Sequence, residues 1–179
     1  MNKNDLYFMR IAKEVSKNSK CLSRKIGSVL VKDNSIISTG YNGPAKGVKH
    51  CNERTHTFYR KLDKKEELNN IDKTSSKAAW IVCPRQALGY KSGQGLHLCQ
   101  AGHSERNALI QAGRNGISTR DTILYCYCGL PCKDCMIEII NSGVKTIVCL
   151  KIKGSKTYDD YSSTIAKDSG IEIREIEGV

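Results

Sequence analysis

Two short stretches hold the side chains best suited to joint chemistry. GHSERNAL puts an imidazole, His103, two residues before a carboxylate, Glu105, and LPCKDC puts two thiols, Cys132 and Cys135, directly after Pro131. An HxE string alone is usually a helix cap or a surface pair, and a CxxC alone is redox-active or structural. Their joint occurrence, each at a helix start, carries the weight. Zinc takes nitrogen and sulfur donors tetrahedrally, so one imidazole and two thiolates would leave a fourth position open, as in a catalytic site. A helix starting after Pro131 would help hold both thiols deprotonated through its N-terminal dipole. Zinc so held brings the pKa of its water from 15.7 toward ~7, and Glu105 is the nearby group that could carry the protons.

Elements must position these groups. Phe8, Ile11, Ala12 and Val15 recur at helical spacing, which predicts an amphipathic helix from about Asn4 to Asn18. IGSVLV and SIISTG, separated by Lys32, Asp33 and Asn34, read as a β-hairpin. From Ser104 onward helices and strands alternate: a helix to Arg114, the strand TILYC, the helix KDCMIEIINSG, the strand KTIVCL, a helix from Tyr158 to Lys167 and an edge strand IEIREI. The pattern predicts an α/β fold of three layers, α/β/α, around a mixed five-stranded sheet whose last three strands are parallel and whose opening hairpin is antiparallel. Residues 1–179 are expected to form a single domain.

Between Gly43 and Ala101 the periodicity dissolves, and a structureless stretch of that length inside a domain needs something to pin it. Cys51, Cys83, His97 and Cys99 lie in this insertion (43–101), and Cys21 lies before it, with His50 and His56 also available. About four of Cys21, Cys51, Cys83, His97 and Cys99 are expected to hold a second, structural zinc. The chain has nine cysteines and no export signal in MNKNDLYFMRIAKEVSK, which predicts reduced thiols and a cytoplasmic protein, with the host cytoplasm the location if it is viral. Cys126 and Cys149 sit in apolar strand-like runs and read as core, while Cys128, four residues before Cys132, reads as a buried thiol or else as a pocket residue. No stretch is apolar enough for a membrane span.

Lys and Arg outnumber Asp and Glu by 29 to 18, a net charge of +11, so an anionic partner is expected. Composition alone does not choose between nucleic acid and a phosphorylated small molecule.

The combined string H-x-E…P-C-x-x-C is the signature of zinc deaminases that act on nucleobases. On IGSVLVKDNSIISTGYNG (Ile26 to Gly43), HSERNAL (His103 to Leu109), LPCKDC (Leu130 to Cys135) and INSGVKTIV (Ile140 to Val148), the chain resembles the deoxycytidylate deaminase family, with its cytidine deaminase-like fold. The resemblance implies zinc ligation by His103, Cys132 and Cys135, proton transfer by Glu105, and deamination of a deoxycytidine nucleotide, dCMP to dUMP with release of ammonia, serving dTMP supply. It implies nucleotide contact by Asn42 of GYNG, phosphate contact by Ser23, Arg24 and Lys25, and a place near the substrate for Tyr158. Arg114, in AGRNG, matches an arginine at a subunit contact near a regulatory nucleotide; many relatives are hexamers that respond to dCTP and dTTP. Some phage-type members are similar in carrying a structural zinc, with cysteines matching Cys21 and Cys51. Most members have HAE where this chain has HSE, and YCYCGLPC runs one residue longer than in many relatives.

Two other functions share parts of this pattern. A tRNA adenosine-type deaminase uses the same zinc motif, but RNA readers usually supply aromatic platforms and this chain has one Trp and two Phe. A non-catalytic basic zinc module could bind nucleic acid by charge, yet it has no use for Glu105 or for an open coordination position.

Overall fold

The computed structural model describes residues 3–54, 82–91, 94–152 and 160–179. α1 (Lys3–Ser16) buries Phe8, Met9 and Ala12, the face its periodicity marks as apolar. β1 (Gly27–Lys32) and β2 (Ser35–Tyr41) pair antiparallel. Between them Asp33 and Asn34 have φ of 48° and 58°, the left-handed pair that lets a two-residue turn follow the twist of its strands.

Beyond the insertion, the order is α3 (Ser104–Arg114), β3 (Ile123–Cys126), α4 (Lys133–Asn141), β4 (Thr146–Leu150), α5 (Asp160–Ser169) and β5 (Glu172–Ile176), α2 being a single turn, Pro84–Ala87, within the insertion. The five strands form one sheet in the order β2-β1-β3-β4-β5. β1 runs antiparallel to β3, while β3, β4 and β5 are mutually parallel, so the expected mixed sheet is the one observed. α5 is described from Asp160 onward, and Tyr158, where the sequence predicts its start, lies outside the described residues.

Strand alternation divides the core into two layers. Leu30, Leu124, Cys126, Ile147 and Cys149 face α3, α4 and α5, whereas Val29, Val31, Tyr125 and Val148 face α1. Cys126 and Cys149 are fully buried, as their apolar surroundings predict, and burial pushes the Cys149 thiol up to about 12.

Residues Lys20–Arg24 and Gly43–Ala101 cluster as a compact unit apart from the rest of the chain. Its described regular structure is α2 and two 3-10 turns, Cys51–Glu53 and Leu96–Leu98, with Leu98 buried against Leu22, Leu88 and Tyr90. Among the described residues no helix is long and apolar enough to cross a membrane.

Backbone contact between layers is closest at two glycines. A Cβ on Gly27 would overlap the Ala12 carbonyl of α1, and one on Gly40 would overlap the Ser104 carbonyl and the Ala108 amide of α3. Neither neighbour is a side chain that could swing away, so the helix itself would have to lift. Gly40→Ala is therefore expected to cost about 3 kcal/mol of unfolding free energy, read by urea denaturation, and to lower zinc content because α3 carries His103 at its start.

Candidate metal centre and active site

Both ligand-bearing stretches turn out to be helix N-termini. His103 is the N-cap of α3, with φ −73° and ψ 154°, and Cys132 is the N-cap of α4, with φ −66° and ψ 164°. An N-cap side chain ordinarily turns back to bond the first free amides of its helix, yet neither of these does. Both are thus available to a ligand. Cys135 sits in the first turn of α4 and is fully buried.

His103 Nδ1 lies 3.2 Å from Cys135 Sγ and 3.4 Å from Cys132 Sγ. The three ligand atoms fall within 4.8 Å of one another, and no other His, Cys, Asp or Glu among the described residues joins them. Zinc bonds of ~2.05 Å to nitrogen and ~2.3 Å to sulfur place tetrahedral N and S donors roughly 3.6 Å apart, so the set is close to ligation spacing before any ion is considered.

Protonation in the cluster fits the same reading. The Cys135 thiol donating to it, and His103 beside it, pull Cys132 down to about 4. That thiolate in turn holds Cys135 far above the usual thiol range, with burial adding to the effect. Hydrogen bonding to Cys132 raises His103 against the burial that lowers it, and Glu105 contributes in the same direction. One proton is thus shed easily and the second is held because two anionic sulfurs would face each other; a dication removes that obstacle.

Glu105 is 4% exposed, and its Oε2 accepts a hydrogen bond from Ser104 Oγ at 2.8 Å. Arg106 and Glu138 form a two-pronged ion pair, Nε to Oε2 at 2.8 Å and Nη2 to Oε1 at 2.7 Å, that joins α3 to α4 and so couples the two ligand-bearing helices. Asn107 Nδ2 donates to the Tyr41 carbonyl at 2.8 Å, fixing α3 against the end of β2. Neither of the last two anchors announces itself in the sequence, because each partner is set by tertiary packing.

Asn42, 6% exposed, closes the hairpin's open end: its Oδ1 accepts the Ile26 amide at 2.8 Å and its carbonyl accepts Ser19 Oγ at 2.7 Å. Lys25 is exposed at the approach to β1, and Arg114 is exposed at the last position of α3. Cys128 is half-buried against the core beside α4, its thiol donating to the Gly129 carbonyl at 3.1 Å.

Within the compact unit of Lys20–Arg24 and Gly43–Ala101, Ser23 is half-buried and Arg24 is exposed. Cys21, Cys51, Cys83 and Cys99 line one cavity of ≈ 40 Å³ together with His50. The Ser23 amide lies 3.5 Å from Cys21 Sγ. His97 instead packs edge-on against Tyr90, with ring centroids 6.1 Å apart, and is not among the residues lining that cavity. These donors are not drawn within ligation distance of one another in groups of three or more.

Known proteins resemble this arrangement. The family model for the cytidine and deoxycytidylate deaminase zinc-binding region matches residues 2–151. A deoxycytidylate deaminase of Enterobacteria phage T2 is 33% identical over 178 residues, covering 92% of this chain and 88% of that protein. Its counterpart in Schizosaccharomyces pombe is 31% identical across 96% of this chain, which spans only 43% of the yeast protein. In fold, the chain is similar to the dCMP deaminase of cyanophage S-TIM5 crystallised with dCMP and dUMP, with a TM-score of 0.65, 21% identity and 98% and 99% of the two chains covered. With a model match across most of its length and a relative aligned nearly end to end, the chain belongs to the cytidine and deoxycytidylate deaminase family of zinc-binding proteins.

Proposed function

We propose that the chain catalyses hydrolytic deamination of a deoxycytidine nucleotide, dCMP to dUMP and ammonia, and so feeds dTMP supply. The observation that carries the reading is the convergence of His103, Cys132 and Cys135 on one point, three donors and no fourth among the described residues, with the buried carboxylate of Glu105 on the same helix start. Those three side chains would hold the catalytic zinc, whose contribution when bound is Lewis acidity that brings the pKa of a coordinated water toward ~7.

The remaining work falls to the protein. Glu105 takes a proton from the attacking water and passes it to N3 of the cytosine ring. It then delivers the second proton to the 4-amino nitrogen, which leaves as ammonia when the C4–N bond breaks; the new C4–O bond becomes the uracil carbonyl. Asn42 orients the nucleotide, and Ser23, Arg24 and Lys25 meet the phosphate, with Tyr158 a further contact. A net charge of +11 favours encounter with a dianion. The cysteine content fits a reducing cytoplasm, that of the host if the protein is viral.

The same family relation supports a single deaminase domain whose insertion, 43–101, is stapled by a second zinc. Cys21, Cys51, Cys83 and Cys99 are the set we assign, because they share one cavity, whereas His97 stands against Tyr90. It also supports a homo-oligomer, a hexamer by analogy, in which Arg114 lies at a subunit contact near a dCTP or dTTP effector.

Glu105→Gln is expected to lower kcat for ammonia release from dCMP by about a thousandfold or more while zinc content stays unchanged. Deamination of a defined RNA with no turnover of dCMP would overturn the substrate assignment. Elemental analysis is expected to find two zinc ions per chain, falling to one in Cys99→Ser with the thermal midpoint lowered; one ion in the parent protein removes the structural site. Titrating dCTP and dTTP into the dCMP assay is expected to shift its activity curve, with the response lost in Arg114→Ala; no change with either nucleotide overturns the regulatory assignment.

A further inference from the structure

Behind Glu105 lie two hydroxyls that metal binding and substrate contact leave unused. Ser28, on β1, and Ser104, the first residue of α3, are both fully buried, and their Oγ atoms are 2.7 Å apart. Ser104 Oγ donates its one proton to Glu105 Oε2 at 2.8 Å, so its oxygen must accept from Ser28. The other neighbour of the Ser28 hydroxyl is Cys126 Sγ, at 3.7 Å a longer and weaker acceptor. Direction is therefore fixed along the chain: Ser28 to Ser104 to Glu105.

Among the described residues the Ser104 hydroxyl is the one side-chain donor to the Glu105 carboxylate, and it binds Oε2. A glutamate has three side-chain torsions, and a carboxylate held through one oxygen keeps its plane while the other oxygen remains available to a reacting group. Hydroxyls in series also polarise one another, which strengthens the last link, the one that ends on a charge. The relay starts from a central strand, and β1 pairs with β2 on one side and with β3 on the other, so its origin is rigid.

We propose that Ser104, backed by Ser28, is a positioning residue that pins one oxygen of Glu105 and so aims the other at the water and the nucleotide ring. The proposal rests on the reading of Glu105 as the proton carrier. Ser104→Ala removes one oxygen at a helix start and leaves the backbone and the zinc ligands in place. It is expected to lower kcat for dCMP ~10-fold, with KM within about twofold of the parent and zinc content unchanged. Ser28→Ala, which acts only through Ser104, is expected to give a smaller loss, and the double variant to be no slower than Ser104→Ala alone. In crystals of the metal-loaded protein, Glu105 is expected in a single conformer in the parent and in a rotated or divided one in Ser104→Ala. A parent-like kcat, a loss confined to KM, additive losses or loss of zinc would each overturn the relay. Should the parent release no ammonia from dCMP, the function assigned above fails by itself, and the crystal comparison still decides the relay: Glu105 unmoved in Ser104→Ala overturns it.

Discussion

Concentrated negative charge is the constraint on which this structure turns. The Cys132 and Cys135 sulfurs lie within 4.8 Å of each other and of the His103 ring nitrogen, and the buried carboxylate of Glu105 bears on Cys135 as well, a concentration of acidic groups that water alone would not hold together. The fold meets the difficulty by degrees. Two helix N-termini put partial positive charge beside the sulfurs, a proton bridges Cys135 and Cys132, and Arg106 stands on the same helix as Glu105. Each of these reduces the repulsion, and a dication at the focus of the three donors removes most of it. The protein is thus built around a charge deficit that defines its ligand.

Close backbone contact supports that arrangement from below. Gly40 lets β2 approach α3 until strand backbone meets the Ser104 carbonyl, and Asn107 ties the same helix to the Tyr41 carbonyl. The start of α3 is therefore held at three consecutive points, His103 by its place at the cap, Ser104 by Ser28, and Glu105 by Ser104. α4 is fixed to it through Arg106 and Glu138. Reactive groups at helix starts inherit the rigidity of the sheet only when anchors of this kind exist, since end turns otherwise fray.

What could be read in the sequence was what is local. Cys132 and Cys135 lie three residues apart at a helix start, the spacing that brings two side chains to one face without knowledge of the rest of the fold. The parallel sense of the last three strands followed from alternation and from the length of the connections, and the hairpin from its short polar turn. Less was legible wherever a contact joins distant segments. Asn42 could be marked as important, but its bond to the Ile26 amide depends on how the hairpin closes. The five candidate donors of a second zinc, four in the insertion and Cys21 before it, are spaced without period, and only the cavity separates His97, on Tyr90, from the four cysteines. Ser104 could be seen as a departure from HAE; the hydroxyl facing it comes from a strand seventy-six residues earlier.

The far face of the sheet shows why the strand leading to Cys132 stays in register. Tyr125 points toward α1, and there its hydroxyl donates to Asp5 Oδ1 at 2.9 Å while Arg174 Nη1 of β5 donates to Asp5 Oδ2 at 3.0 Å. Asp5 is buried, and burial together with this bond raises the Tyr125 phenol well above its ordinary range, so the phenol stays a donor. A buried ion pair adds little net stability, because desolvation offsets the attraction, but it penalises any arrangement that separates its members. Sliding β3 by one residue would turn Tyr125 into the layer of α3 and α4 and leave Asp5 facing Leu124 or Cys126, an apolar side chain or a thiol. A one-residue slip thus strands a carboxylate against an apolar layer. The same slide would carry Cys126 away from Ser28 and shift the loop that delivers Cys132, so the polar contact on one face of β3 fixes the chemistry on the other.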